Sequence, residues 1–296
     1  MPTAFSAHRS PLATQRSRLR TCSAVRLPAC FPAASFLAWF AVLSLVAHPL
    51  CALDEGSLAR VLEKHQEAGL VRYDRLIGDR DELDGYVASL RDANPGAMEL
   101  PERIAFWINA YNALVVRSIL DAYPLSSTRD IQDFETRLDH SVAGDLLSLE
   151  NLRNEKIRKE FKDPRISFSL CRGAVSAPKI SATLFTASNL EEQLEKNVRD
   201  YLAGPWGVQV DVQARKVLIP PIFDWYATDF VAEGRKTRDP EPALRTFLLL
   251  HGPPKMKSYL ELTSPYALEI RKDYDWRLND VHTSQKVPFV WPWSSR

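Results

Sequence analysis

Residues 100–124 read LPERIAFWINAYNALVVRSILDAYP, and this stretch decides the fold. Its apolar residues occupy nearly the whole circumference of a helix, and Pro124 ends the pattern. A helix that is apolar on most sides is buried on most sides. The stretch therefore predicts a central, buried helix around which the rest of the chain packs.

Two amides lie inside this apolar helix. Asn109 and Asn112 are three residues apart, so both side chains project from one face. Burying an amide without a partner costs about 1–3 kcal/mol, so each must bond to something specific. Two interpretations stay open: the amides hold the backbone of a neighbouring loop, or they line a ligand-binding site.

Helical and strand patterns mix on both sides of this helix without regular alternation. Residues 166–171, ISFSLC, alternate like a half-buried strand, and residues 207–220 predict a hairpin. This mixture favours the α+β class, with a single domain in which the central buried helix packs on a small mixed or antiparallel sheet. The other main helices are expected over residues 55–68, 80–92, 186–203 and 242–252.

Cys171 ends the predicted strand, on the same face as Ser167 and Ser169. The guanidinium of Arg172 next to it would favour the thiolate, which is the reactive form of cysteine. Catalysis also needs a base close to the sulfur, and no histidine is tied to Cys171 by its spacing. The alternative is an inert, buried cysteine.

Arg172 and Gly173 predict a turn, because glycine permits left-handed backbone geometry. Such a turn could present the guanidinium and backbone N–H groups to an anion. The alternative is an ordinary turn with a solvated arginine.

The composition excludes several classes of protein. The chain has 296 residues with 38 basic and 37 acidic side chains, so no charge excess attracts nucleic acid. Cys171 is the one cysteine after residue 52, which excludes a metal site built from several cysteines. We predict no metal and no cofactor.

The first 52 residues differ from the rest. They contain no Asp or Glu, and several arginines precede an apolar run over residues 33–47, which is the pattern of an export signal. The run is short for a membrane-spanning helix. We expect a leader over 1–52, a globular domain over 53–281 that works outside the cytoplasm and has no stable transmembrane span, and a loose tail over 282–296. An organellar lumen, reached through a bipartite leader, is the alternative destination.

Several motifs occur in order along the domain and together closely resemble the family called domain of unknown function 547. The likeness covers roughly residues 58–280. The motifs are FWINAYNALVV at 106–116, SLENL at 148–152, DPRISFSL at 163–170, NLEEQL at 189–194, IPPIFDWYATDF at 219–230 and YDWRLND at 274–280.

The departures from the family pattern concern residues that carry chemistry. The resemblance implies a Glu-His pair where this chain has Arg153 and Asn154, a histidine at Ser167, and a cysteine at Arg172. A site without its nucleophile and base cannot run a two-step covalent reaction.

Two functions are compatible with these residues. The first is non-catalytic binding of a small molecule or a protein in a pocket formed by Asn109, Asn112, Arg172 and Gly173. The second is a hydrolase or transferase with a different nucleophile. The residues considered for that reaction are Cys171, Ser169 and Ser176, with His140 as the base.

Overall fold

The computed structural model describes residues 53–231, 239–262 and 264–284. The predicted leader and all but three residues of the predicted tail lie outside this part of the chain. Within it, no helix is both long enough and apolar enough to cross a membrane. In chain order, the α-helices are α1 Glu55–His65, α2 Tyr73–Leu76, α3 Arg80–Ser89, α4 Leu100–Ala122, α5 Leu149–Asn151, α6 Lys159–Phe161, α7 Leu190–Ala203, α8 Ile222–Trp225, α9 Glu241–His251, α10 Pro254–Leu260 and α11 Val281–Ser284.

The strands are short and form two hairpins and one small sheet. β1 pairs with β2 and β3 with β4, both antiparallel. In the three-stranded sheet β5 pairs antiparallel with β6, and β6 pairs parallel with β7, so the sheet is mixed. The α+β class is confirmed. The strands are β1 Gln66–Glu67, β2 Leu70–Val71, β3 His140–Val142, β4 Asp145–Leu147, β5 Gln209–Asp211, β6 Lys216–Ile219 and β7 Ala267–Ile270.

The central helix forms where the sequence predicts it. Pro101 lies in its first turn, where the N–H that proline lacks would have no partner within the helix. The helix ends at Ala122, and Tyr123 is extended, as expected for a residue that precedes a proline. Fifteen of its 23 residues are buried, which confirms the prediction of a central, buried helix.

The core has two apolar clusters. One surrounds α4 and includes Val142 and Leu147 from the β3–β4 hairpin. The other joins α7, β6 and α9 around Phe168, whose ring stacks on that of Phe247 at a centroid distance of 5.7 Å.

The segment between these clusters is not the predicted strand. Residues Pro164–Phe168 form a 3₁₀ helix, with Asp163 as its cap, and irregular backbone follows. The alternation in ISFSLC has a different cause: Ile166 and Leu170 enter the first apolar cluster, whereas Phe168 enters the second. The apolar side chains at every second position therefore enter two different apolar clusters. The sequence has the alternation of a strand although the segment does not pair in a sheet.

The amides of α4 fix this irregular segment and a second one. Asn112 donates to the carbonyl of Ser169 at 2.9 Å and accepts from the N–H of Cys171 at 2.9 Å. Asn109 donates to the carbonyl of Phe185 at 2.8 Å and accepts from its N–H at 3.1 Å. The interpretation that these amides hold loop backbone is confirmed.

We predict that Asn112→Ala lowers the free energy of unfolding by about 2–4 kcal/mol, because two buried backbone groups lose their partner. Chemical denaturation measures the change. Asn94→Ala is the control, since Asn94 is exposed and its side chain caps nothing; it should change stability by about 0.5 kcal/mol or less. Equal stability of the two variants would contradict the role given to Asn112.

Candidate functional site

Arg172 lies in the irregular segment held by Asn112, and its side chain is only 16% exposed. One terminal nitrogen donates to the hydroxyl of Tyr226 at 2.8 Å, and the other donates to the carboxylate of Glu135 at 2.9 Å. The expectation of a solvated arginine is therefore wrong. The guanidinium is fixed by two specific partners.

A second guanidinium, that of Arg153, shares the same carboxylate. Arg153 is buried and lies in a π-helical turn, Leu152–Arg158, between α5 and α6. Its Nη1 donates to Glu135 and to the hydroxyl of Tyr111, the latter at 3.2 Å. π-helical turns inside α-helices occur frequently at functional sites.

Glu135 thus bridges two arginines. Burial alone would raise the pKa of this carboxyl group, but the charges of Arg153 and Arg172 outweigh burial and lower the pKa below its ordinary value of 4.5. The carboxylate is ionised at neutral pH, and it compensates one of two positive charges. The cluster keeps a net charge of +1.

These arginines line a recess between the central part of the chain and its C-terminal third. The space in it that admits the centre of a water-sized sphere is about 10 Å³, which is room for about one water molecule. We call it the arginine recess. It is lined by Arg153, Ser167, Leu170, Arg172, Pro178, Tyr201, Ile222, Trp225, Tyr226 and Tyr274.

Unpaired polar atoms concentrate at this recess. In the described part of the chain, ten buried side-chain nitrogen or oxygen atoms have no hydrogen-bond partner. Four of them belong to residues that line the recess: Nε of Arg153, Oγ of Ser167, Nε of Arg172 and the hydroxyl of Tyr274. Because an unpaired buried polar group is costly, such a concentration calls for a specific explanation.

Cys171 does not reach this recess. Its side chain is fully buried, and burial raises the pKa of the thiol to about 12. At neutral pH it is therefore a neutral thiol in the apolar cluster around α4. The predicted polar face for Cys171 is wrong, because no strand is present and both sides of the segment are covered.

The residues considered for hydrolysis are not brought together. Ser169 Oγ accepts from Asn197, and Ser176 Oγ accepts from the N–H of Asp275. The imidazole of His140 pairs with Asp139 at 3.1 Å. No hydrogen bond joins this imidazole to a serine or to Cys171 in the described ranges, so the geometry gives no nucleophile–base pair.

The predicted ligand-binding residues also separate. Asn109 and Asn112 border a different recess beside α1, and their amide groups already bind backbone. Gly173 has a φ of +67°, and a Cβ on it would lie 2.4 Å from Ile119 Cδ1. The absence of a side chain at Gly173 therefore allows this segment to pack closely against α4. Of the four residues, Arg172 alone lines the arginine recess.

Sequence reasoning missed most of the arginine recess. Arg153, Ser167 and Tyr274 were not proposed as binding residues, although a signal was present. The resemblance implied other residues at Arg153, Ser167 and Arg172, and the structure places all three in the lining of this recess.

The comparison with family models agrees with that resemblance. Residues 95–202 match the model described as "Protein of unknown function, DUF547". Over this segment the chain is similar to the DUF547 family. No curated protein and no solved structure matches the chain.

The DUF547 segment supplies only part of the recess. It contributes both arginines and Ser167, whereas Trp225, Tyr226 and Tyr274 come from the chain beyond residue 202. The charged part of the recess therefore lies within the family segment, and most of its aromatic side chains lie outside.

We predict that Glu135→Gln lowers the free energy of unfolding by about 3 kcal/mol at pH 7, because two largely buried guanidinium groups lose their counter-charge. The pKa of Glu135 is lowered on folding, so its contribution is present above about pH 4.5 and is lost as the pH falls through the folded-state value.

Denaturation at a series of pH values measures this difference. The difference in the free energy of unfolding between wild type and variant should be constant above pH 5 and should decrease towards pH 3. Glu155→Gln breaks an exposed pair with Lys159 and is the matched control, with little effect expected at any pH. Equal free energies of unfolding for wild type and variant at pH 7 would contradict the bridging role of Glu135.

Proposed function

We propose that this protein is a non-catalytic binding domain that takes a small anion in the arginine recess and works outside the cytoplasm. One observation supports this proposal above all. Four buried polar atoms without a partner belong to residues that line a recess, and the arginines of this recess exceed their carboxylate by one charge.

The charge balance favours an anion over other ligands. Arg153 and Arg172 face one carboxylate, and the nearby Arg158 is already paired with Asp229 at 2.6 Å. Uncompensated charge is costly in a buried setting, so a bound anion would recover both charge pairing and hydrogen bonds. The Nε–H groups and the two hydroxyls can all donate to it.

The lining gives no support to covalent catalysis. The ten lining residues in the described part of the chain include no cysteine, histidine or carboxylate. Ser167 has a hydroxyl, but no general base bonds to it, and an unactivated serine is a weak nucleophile. Binding is therefore the function that the arrangement supports best.

The proposed location outside the cytoplasm rests on the sequence of the leader, residues 1–52. Its arginines precede an apolar run over residues 33–47, and acidic residues are absent from it.

We predict that residues 1–52, fused to a reporter enzyme that needs disulfides for activity, yield an active reporter, because disulfides form outside the reducing cytoplasm. Reporter activity in intact cells is the measurement. A matched fusion with Leu43→Arg and Leu45→Arg, which interrupts the apolar run, should be inactive. Equal activity of the two fusions would refute export by this segment.

We predict that Ser167→Ala and Tyr274→Phe each weaken anion binding about tenfold without lowering stability. Each removes a donor to a charged ligand, worth about 1.5 kcal/mol or more. The removed hydroxyls have no partner in the protein, so the free energy of unfolding should stay the same or rise. Calorimetric titration with acetate, benzoate and inorganic phosphate, together with thermal unfolding, measures both quantities.

Tyr86→Phe is the matched control. The hydroxyl of Tyr86 is also buried and unpaired, but Tyr86 lies in α3 and does not line the arginine recess. This variant should keep wild-type affinity. If no anion binds to the wild-type protein, or if all three variants bind equally well, the proposed function is wrong.

A further inference from the structure

We propose that residues 285–296, which follow α11, dock onto a group of aromatic side chains on the surface of the same chain. We call the side chains of Trp225, Tyr274 and Trp276 the aromatic platform. The proposal concerns the outer surface of these rings and does not depend on an anion in the arginine recess.

The three rings of the aromatic platform contact one another. The ring centroid of Tyr274 lies 5.1 Å from that of Trp225 and 4.5 Å from that of Trp276. Trp225 is 37% exposed, and the other two side chains are half-buried. The exposed Arg129 places its guanidinium 4.0 Å from the centroid of Trp276. Tryptophan, tyrosine and arginine are the side chains that most often dominate the binding energy of protein interfaces, so this surface suits a peptide.

The segment that follows α11 has the composition of such a peptide. Residues 285–296 read QKVPFVWPWSSR, with three aromatic side chains, two prolines and no Asp or Glu. Two of the seven tryptophans of the chain, Trp291 and Trp293, lie in it. Proline disfavours helix in the residue before it, and extended segments that contain proline are the peptides that aromatic-lined surfaces bind.

A short path along the chain connects the aromatic platform with this segment. Residues 276–280 run antiparallel beside the chain that follows α4. At one end, the hydroxyl of Ser127 donates to the carbonyl of Trp276 at 2.7 Å. At the other end, the hydroxyl of Tyr123 donates to the carboxylate of Asp280 at 3.1 Å. Because α11 begins at the next residue, the segment starts close to the platform.

The segment is long enough to return to the platform. The four residues from Trp276 to Asp280 span at most about 14 Å, and α11 adds about 6 Å, so Ser284 lies within about 20 Å of Trp276. Seven further residues reach about 25 Å, which brings Trp291 to the platform. Trp293, two residues later, reaches it with length to spare.

The short connection favours docking even when the contact itself is weak. Two binding partners joined by a short flexible linker have an effective concentration in the millimolar range. A peptide with a dissociation constant of about 1 mM would therefore occupy the platform about half of the time once it is part of the same chain. The proposal thus needs only a modest affinity between the segment and the rings.

Fluorine NMR of the full chain labelled with fluorotryptophan tests the proposal. The position of each signal reports the surroundings of one indole, and Trp→Phe variants assign the signals of Trp225 and Trp276. The comparison is with a shortened variant that ends at Ser284. We expect both signals to differ between the two chains, by an amount that is independent of protein concentration. A synthetic peptide of residues 285–296, added to the shortened variant, should return both signals to their positions in the full chain.

Substitutions within the segment give a matched pair. In the full chain, Trp291→Ala combined with Trp293→Ala should move the platform signals as truncation does, because the aromatic contacts are lost. Ser294→Ala combined with Ser295→Ala is the control in the same segment and should leave these signals where they are.

Substitutions in the platform give a second pair. Trp225→Ala in the shortened variant should weaken peptide binding at least tenfold, as expected for a central interface tryptophan. Trp206→Ala is the control, because Trp206 also lies beside an arginine, 5.7 Å from Arg271, but is not part of the platform; peptide affinity should stay unchanged. If Trp225→Ala fails to fold, the comparison of the full chain with the shortened variant still decides.

Three results would overturn the proposal. The first is identical signals of Trp225 and Trp276 in the full chain and the shortened variant. The second is a difference that disappears on dilution, which would assign the platform to the segment of a second copy. The third is that the signals of Trp291 and Trp293 shift only when vesicles of phosphatidylglycerol are added, while Trp225 is unaffected by truncation; this result would assign the segment to a lipid surface.

Discussion

One carboxylate holds the candidate site together. Glu135 bonds to the guanidinium groups of Arg153 and Arg172, which come from a π-helical turn and from an irregular segment. Two positive charges with one counter-charge stay in place only because the surrounding fold fixes them. The amide of Asn112 anchors the irregular segment that contains Arg172 to the central helix. The site therefore depends on that helix, although none of the described lining residues comes from it.

The fold was predictable where the apolar pattern fits one kind of element only. The apolar profile of residues 100–124 predicts α4, because a helix surrounded by protein is apolar all round. The stretch ISFSLC was wrongly predicted as a strand, because its apolar pattern fits more than one kind of structure. It lies between two apolar clusters, and burial on two sides imitates the alternation of a strand. Pro164 and the cap at Asp163 were the local signals for a 3₁₀ turn.

The site was predictable only in part. Arg172 was identified through its position before a glycine, but its partners Glu135 and Tyr226 come from distant parts of the chain that no local pattern connects. Asn109 and Asn112 were predicted to need specific partners, and they have them in loop backbone. Spacing along a sequence does not reveal which buried hydroxyl or Nε–H remains unpaired, because that depends on tertiary packing.

The most direct test of the central claim observes the Nε–H groups of the arginines themselves. We would record their NMR signals during a titration with benzoate, and assign those of Arg153 and Arg172 through Arg→Lys variants. Binding in the arginine recess predicts that both signals move together and saturate, while the signal of Arg60, which is exposed on α1 and does not line the recess, stays constant. Saturating binding that leaves both signals unchanged would contradict the account.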